Sequence, residues 1–116
     1  MMIDENDLLA VADYDTFMRQ DGYYVGYHGC SLIKNIVDEF KGKLGDNLSK
    51  AKGLFVLFNL NDDIPLTILD KILNEIESLI DGDIDIWFET ITDNSISVDS
   101  MEYMFLLSGV NYAEGE

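Results

Sequence analysis

IDIWFETITDNSISVDSMEYMFLLSG, residues Ile84 to Gly109, contains two apolar runs separated by a polar turn. Alternate residues of its first part fall on opposite sides of an extended chain, and the side that carries Ile86 and Phe88 is apolar. That period of two predicts a strand sheltered on one face and partly covered on the other. A polar turn leads to a second apolar run, Met101 to Leu107, so the stretch predicts a long hairpin.

The segment upstream predicts a central strand and a helix packed on it. Gly53 to Leu60, GLFVLFNL, is almost continuously apolar, which is typical of a strand buried on both faces. Leu66 to Ile80 has apolar residues at helical spacing, which predicts a helix with one buried stripe; its members are Leu69, Ile72, Leu73, Ile76, Leu79 and Ile80. Pro65 stands just before it, and Thr67 with Asp70 has the spacing of a capping box.

Two further elements precede the central strand. Tyr23 to His28, YYVGYH, predicts a strand whose neighbour comes close at Gly26. Ser31 is expected to cap an amphipathic helix that runs to Lys41, and Gly42 and Gly45 are expected to stop it. The fold class is therefore α+β: a two-layer α/β sandwich of β-α-β-α-β-β order, with one mixed four-stranded sheet and two helices on one face.

Composition narrows the range of partners and locations. The chain has 116 residues, which is one domain with room for a core, and its 47% apolar content argues against wholesale disorder. Seven basic residues against twenty-three acidic ones give a net charge of −16, so nucleic acid is not an expected partner. No stretch is apolar enough over about 20 residues to span a membrane. With a single cysteine, Cys30, and no signal-peptide pattern, we expect a cytoplasmic protein.

Several residues are candidates for a catalytic, metal-binding or anion-binding site. His28 and Cys30 lie two residues apart on a predicted strand, so they could form part of a nucleophilic or metal-binding site. The simpler interpretation is that His28 is a histidine at the end of a strand and Cys30 a small buried thiol. Asp62-Asp63 and Asp81 to Asp85 could bind calcium, although the spacing is not that of an EF-hand and a solvated turn is favoured. The lysines near the second predicted strand could bind an anion or offset nearby carboxylates; they are Lys41, Lys43, Lys50 and Lys52. We therefore expect no metal and no cofactor.

Aromatic residues on the predicted hairpin raise a further question. Trp87, Tyr103 and Phe105 would mark an interface if they were exposed. Packing in the core is the default interpretation.

From Ala51 to Gly109 a series of motifs occurs in a characteristic order. The motifs are Ala51-Lys52-Gly53 before an apolar strand, Asp63-Ile64 and Leu66 before a helix, Ile86-Trp87-Phe88-Glu89-Thr90, Asp93-Asn94-Ser95-Ile96, and a last strand ending in Ser108-Gly109. In this order and spacing the chain resembles the C-terminal domain of FtsZ, the bacterial relative of tubulin. The sequence departs from the family pattern at Leu57, Glu89 and Glu102, where FtsZ has an asparagine, a glycine and a basic residue.

The N-terminal end resembles the same family more loosely. Ile3-Asp4-Glu5-Asn6-Asp7-Leu8 is similar to the FtsZ synergy loop, although Met2 stands where that loop has asparagine. The resemblance implies that Asp4 and Asp7 are the catalytic carboxylates, which would act on the nucleotide of a neighbouring subunit. Residues 1–22 are then an acidic loop and helical segment, residues 23–110 the FtsZ C-terminal-like domain, and residues 111–116 a frayed tail.

The resemblance also sets the expected function. The Gly-rich phosphate loop of the FtsZ GTPase half does not occur in this sequence, so the chain alone is not expected to be an enzyme. It is expected to be a protein-protein interaction domain in cell-division filament assembly, with an FtsZ-like protein or a second copy of itself as partner. Either it is a fragment of a longer FtsZ-like protein, or it is a free-standing chain that docks on a filament end.

A different class of function stays open. Small domains of this element order also occur as oligomeric small-molecule-binding or enzymatic domains with sites between subunits. An anionic substrate would favour arginine, and Arg19 is the only arginine in the chain. A trimer with a pocket lined by Arg19 and His28 would support this alternative.

Overall fold

The computed structural model describes residues 23–80 and 84–110. Within these ranges four strands form one sheet and two α-helices pack on it. The elements in chain order are β1 (Tyr23–Leu32), α1 (Ile36–Leu44), β2 (Gly53–Leu60), α2 (Leu66–Ser78), β3 (Asp85–Thr92) and β4 (Ser100–Val110). Short 3-10 helices, Ile33–Asn35 and Gly45–Lys50, flank α1. The α+β sandwich predicted from the sequence is confirmed.

The strand order across the sheet is β1-β4-β2-β3. Strand β2 runs parallel to β3 and antiparallel to β4, while β4 also pairs antiparallel with β1. Every residue of β2 is buried, which confirms that GLFVLFNL is a central strand. The sheet is mixed, as predicted.

The predicted hairpin of β3 and β4 is wrong, because β2 lies between these two strands. The connection from Asp93 to Asp99 crosses the end of β2. It is held there by hydrogen bonds that Asp93 N donates to Leu60 O (2.9 Å) and Asn61 Nδ2 donates to Ile96 O (2.9 Å). A strand as apolar as β2 needs a neighbour on each side to satisfy its backbone groups out of water, and β4 supplies the second neighbour.

The main core lies between the sheet and both helices. It is built from alternate residues of β2 and β4 and from the inner faces of α1 and α2. Phe105 is at its centre, with ring centroids 4.7 Å from Tyr103 and 5.2 Å from Phe40. Because α1 and α2 bury their apolar stripes in this one cluster, both helices share a face of the sheet.

The first helix begins and ends later than predicted. Ser31 does not cap it: β1 continues to Leu32, and α1 starts at Ile36. The helix passes through Gly42 and ends at Leu44, where Gly45 has a positive φ of 44°. A positive φ favours glycine, so of the two glycines that were expected to stop the helix, Gly45 ends it and Gly42 does not.

The second helix is the one predicted, with different ends. It starts at Leu66 with Pro65 at the N-cap position and makes no side-chain cap hydrogen bond, so the predicted capping box of Thr67 and Asp70 is wrong. It stops at Ser78 rather than at Ile80. The residues buried against the sheet belong to the predicted stripe; they are Leu69, Ile72 and Ile76.

Candidate interaction surfaces

The residues that the sequence singled out are spread over different parts of the molecule. Asp4, Asp7 and Arg19 lie outside the described residues, as does Asp81 to Asp83. Lys41 and Lys43 lie in the last turn of α1, where a cation complements the helix dipole. Lys50 ends the following 3-10 helix and Lys52 precedes β2.

His28 and Cys30 lie on edge strand β1, and both are exposed. They share the face opposite the helices, where their partners across the sheet are Met104 and Glu102. In residues 23–80 and 84–110 there is no group of three or more His, Cys, Asp and Glu side chains that could hold a metal ion. Cys30 is exposed, so the interpretation of this residue as a small buried thiol is wrong.

The aromatic residues of β4 are core residues. Tyr103 and Phe105 are fully buried beneath the helices, as the default interpretation predicted. The Tyr103 hydroxyl donates to Glu39 Oε1 over 3.4 Å. Burial, with a further contribution from the Glu39 carboxylate, raises the pKa of Tyr103 above its usual 10.0. Trp87 lies on the other face of the sheet and is half-buried.

The face opposite the helices combines an apolar centre with one polar pair. Phe55 and Leu57 are its fully buried apolar residues. Beyond them Asn59 Nδ2 donates to Glu102 Oε1 over 2.7 Å, with both residues at least 95% buried. The other amide atom, Asn59 Oδ1, is buried without a hydrogen-bond partner. The sequence places Asn59 within the almost continuously apolar strand β2 but gives no sign of its partner, because Glu102 is far away along the chain.

Two loops are tied together at the end of the sheet where β2 and β3 finish. Asp62 N donates to Asn94 Oδ1 over 2.9 Å, which joins the β2–α2 loop to the β3–β4 loop. Asp93 Oδ1 accepts hydrogen bonds from the hydroxyl (2.6 Å) and the backbone N–H (3.0 Å) of Ser95, and these bonds lower the pKa of Asp93. Asp62 and Asp63 are exposed in a turn, as the solvated-turn interpretation predicted.

An apolar groove of about 670 Å³ lies beside these loops, between α1 and α2. Its walls come from the end of β1, the start of α1, the outer side of α2 and the β3–β4 loop; the lining residues are Leu32, Ile33, Lys34, Val37, Ile68, Lys71, Ile72, Glu75, Val98 and Asp99. Sequence reasoning missed it. The available signal was Ile68 and Val98, which are apolar residues outside any predicted buried stripe.

Among the described residues, no helix is long and apolar enough to cross a membrane.

Comparison with known proteins supports the fold at the level of structure. No protein-family profile matches the chain, and no curated protein sequence matches it. An FtsZ dimer from M. jannaschii superposes with a TM-score of 0.67 at 16% identity, over 94% of this chain and 32% of that chain. A GTPγS-bound protofilament of CetZ2 from Haloferax volcanii gives 0.63 at 12% identity, over 97% and 35%. TubZ protofilaments of Bacillus thuringiensis serovar israelensis give 0.56 at 9% identity, over 78% and 26%.

The chain therefore spans between about a quarter and about a third of the length of these proteins. It has the fold of one domain of FtsZ-like filament proteins, as the resemblance to the FtsZ C-terminal domain predicted. At these identities the likeness shows the fold alone.

Proposed function

We propose that this chain is an assembly domain that acts with an FtsZ-like protein of the cytoplasm in cell-division filament assembly. The observation that carries the proposal is the coverage of the match: 94% of the chain superposes on part of an FtsZ dimer and 97% on part of a CetZ2 protofilament. A domain that fills one part of a filament subunit is suited to contacts between subunits, and no catalytic step is assigned to it alone.

The proposed contact uses the acidic loop at the N-terminal end. Asp4 and Asp7 hold the positions of the synergy-loop carboxylates in the resemblance to FtsZ. In that family one subunit supplies the nucleotide and the next supplies the acidic loop. The loop of this chain would then dock on the nucleotide face of an FtsZ-like neighbour, where its carboxylates could polarise the water that attacks the γ-phosphate.

The test adds the purified chain to assembling FtsZ from the same source and follows light scattering and GTP turnover. Three proteins are compared: the wild type, the Asp4→Ala/Asp7→Ala variant, and a control Asp62→Ala/Asp63→Ala variant. The control also removes two negative charges, but from an exposed loop in the described part of the chain.

The proposal expects the wild type and the control to change polymer mass or turnover, and the Asp4→Ala/Asp7→Ala variant to lose that effect. Equal effects from all three proteins would show that the acidic loop is not responsible, and an equal loss in both variants would assign the effect to bulk negative charge. No effect from any of them would overturn the docking mechanism.

A further inference from the structure

The groove between α1 and α2 collects exposed apolar surface. The large apolar side chains that are most exposed in the described chain are Leu32 (39%), Leu66 (75%), Ile68 (36%) and Val98 (56%). Three of the four line this groove, and Leu66 opens the same helix as Ile68. Apolar surface gathered in one concave place, rather than scattered singly, marks an interaction site.

The groove also differs from the rest of the molecule in its charge. Lys34 and Lys71 line it together with Glu75 and Asp99, so the lining is balanced. The whole chain has only seven basic residues against twenty-three acidic ones. Two copies of this chain repel each other over most of their surfaces, but the repulsion is weakest where groove meets groove.

We propose that the groove is the contact surface for a second copy of this chain, in a two-fold symmetric dimer. In such an interface the same patch meets itself, so each charged group must find its opposite on the partner. Lys71 and Glu75 lie one turn apart on α2, and two copies of α2 running antiparallel set Lys71 of each against Glu75 of the other. The apolar side chains of Ile68 and Val98 in each copy are then removed from water by contact with the partner.

This self-association is separate from docking on an FtsZ-like partner, because it uses residues far in sequence from Asp4 and Asp7. Its two dimerisation experiments contain no FtsZ-like protein, so their results do not depend on whether the acidic loop docks. A stable interface covers about 800 Å² on each partner. The contact therefore extends beyond the groove along α1 and α2.

The first experiment measures the dimer dissociation constant of the full chain by sedimentation equilibrium at physiological salt. Ile68→Asp is compared with Thr67→Asp, which adds the same charge at an exposed position of the same helical turn that does not line the groove. We expect Ile68→Asp to weaken dimerisation by about tenfold or more, and Thr67→Asp by no more than about twofold. Circular dichroism confirms that both variants are folded.

The second experiment uses the two-fold pairing of charges. Lys71→Glu and Glu75→Lys each weaken dimerisation alone, because each places like charges opposite one another. Combining them in one chain, Lys71→Glu/Glu75→Lys, restores the dimer, and mixing the two single variants gives a heterodimer that is tighter than either homodimer.

Four results would overturn the proposal. The first two are a wild type that stays monomeric up to about millimolar concentration, and equal dimer dissociation constants for Ile68→Asp and Thr67→Asp. The others are a double charge variant that dimerises no more tightly than the single variants, and a monomeric chain whose binding to an FtsZ-like protein requires Ile68. The last result would assign the groove to that partner.

Discussion

Tyr103 lies across Gly29 so closely that the strand has no room for a side chain there. A Cβ on Gly29 would lie 2.7 Å from Tyr103 Oη and 2.9 Å from Tyr103 Cζ. The Tyr103 ring cannot move aside freely, because it is buried and stacked on Phe105. Gly26 on the same strand is less constrained, since a Cβ there would meet only the flexible end of Leu106 at 3.1 Å.

Gly29→Ala is therefore expected to reduce the free energy of unfolding by about 1–3 kcal/mol, as overpacking does elsewhere. Gly26→Ala, the matched change on the same strand, is expected to cost less than about 1 kcal/mol, because a methyl group of Leu106 can rotate away. Urea unfolding of both variants measures the difference. Equal costs would show that the Tyr103 contact is not what excludes a side chain at Gly29.

The buried pair of Asn59 and Glu102 gives a second prediction at this scale. Glu102→Ala leaves the Asn59 amide buried with no acceptor, so we expect it to cost about 1–3 kcal/mol of unfolding free energy. Adding Asn59→Leu removes the stranded amide, and the double variant is expected to be more stable than Glu102→Ala alone. A double-mutant cycle from denaturant titrations measures this coupling. Strict additivity would contradict a direct interaction between the two side chains.

Tyr103 also predicts how stability depends on alkaline pH. Its pKa is raised in the folded state, so the folded chain holds the phenolic proton more tightly than the unfolded chain does. The stability gained this way is fully present below pH 10.0, the usual pKa of tyrosine, and is lost as pH rises through the folded pKa. Tyr103→Phe should flatten the fall in unfolding free energy above pH 10.0, compared with the control Tyr27→Phe. Parallel curves for both variants would contradict this assignment.

At the scale of elements, α1 offers a test of how a helix end is chosen. Gly42 and Gly45 are both surrounded by open space, and they differ in backbone conformation, since only Gly45 has a positive φ, 44°. Gly42→Ala should raise the free energy of unfolding by about 0.5–1 kcal/mol, because alanine favours a helix interior. Gly45→Ala should lower it by about 1 kcal/mol or more, because a Cβ strains that conformation. Thermal and urea unfolding measure both changes. Effects of the same sign would mean that φ does not distinguish the two sites.

At the scale of the whole molecule, net charge governs stability and association together. A charge of −16 on 116 residues repels itself in the compact state, and added salt screens that repulsion. The urea midpoint of unfolding should therefore rise as NaCl increases from about 10 mM to about 1 M, a range over which the screening length falls from about 30 Å to about 3 Å.

The same screening should strengthen association between like-charged copies, which sedimentation in the same salt series measures. KCl serves as the control for a specific effect of sodium. A midpoint and a sedimenting mass that both stay constant over this range would contradict a dominant role for self-repulsion.

Local patterns in the sequence were enough to predict the elements that those patterns encode. The almost continuous apolar run identified β2 as a central strand, and helical spacing identified the buried stripe of α2, because burial on two faces or on one leaves a direct trace in residue order. The α+β class followed from element order. The end of α1 was predicted at Lys41 and lies at Leu44, because the sequence does not tell Gly42 from Gly45, which differ in φ.

Tertiary packing sets which strands are neighbours and which apolar residues remain in contact with water, and neither can be predicted from local patterns. Strand β4 pairs with β1 and β2 rather than with β3, because pairing depends on backbone groups brought together across the sheet, not on adjacency in sequence. The groove exists for the same reason. Leu32, Ile68 and Val98 are far apart along the chain, and their exposure in one place is decided by how α1, α2 and the β3–β4 loop pack.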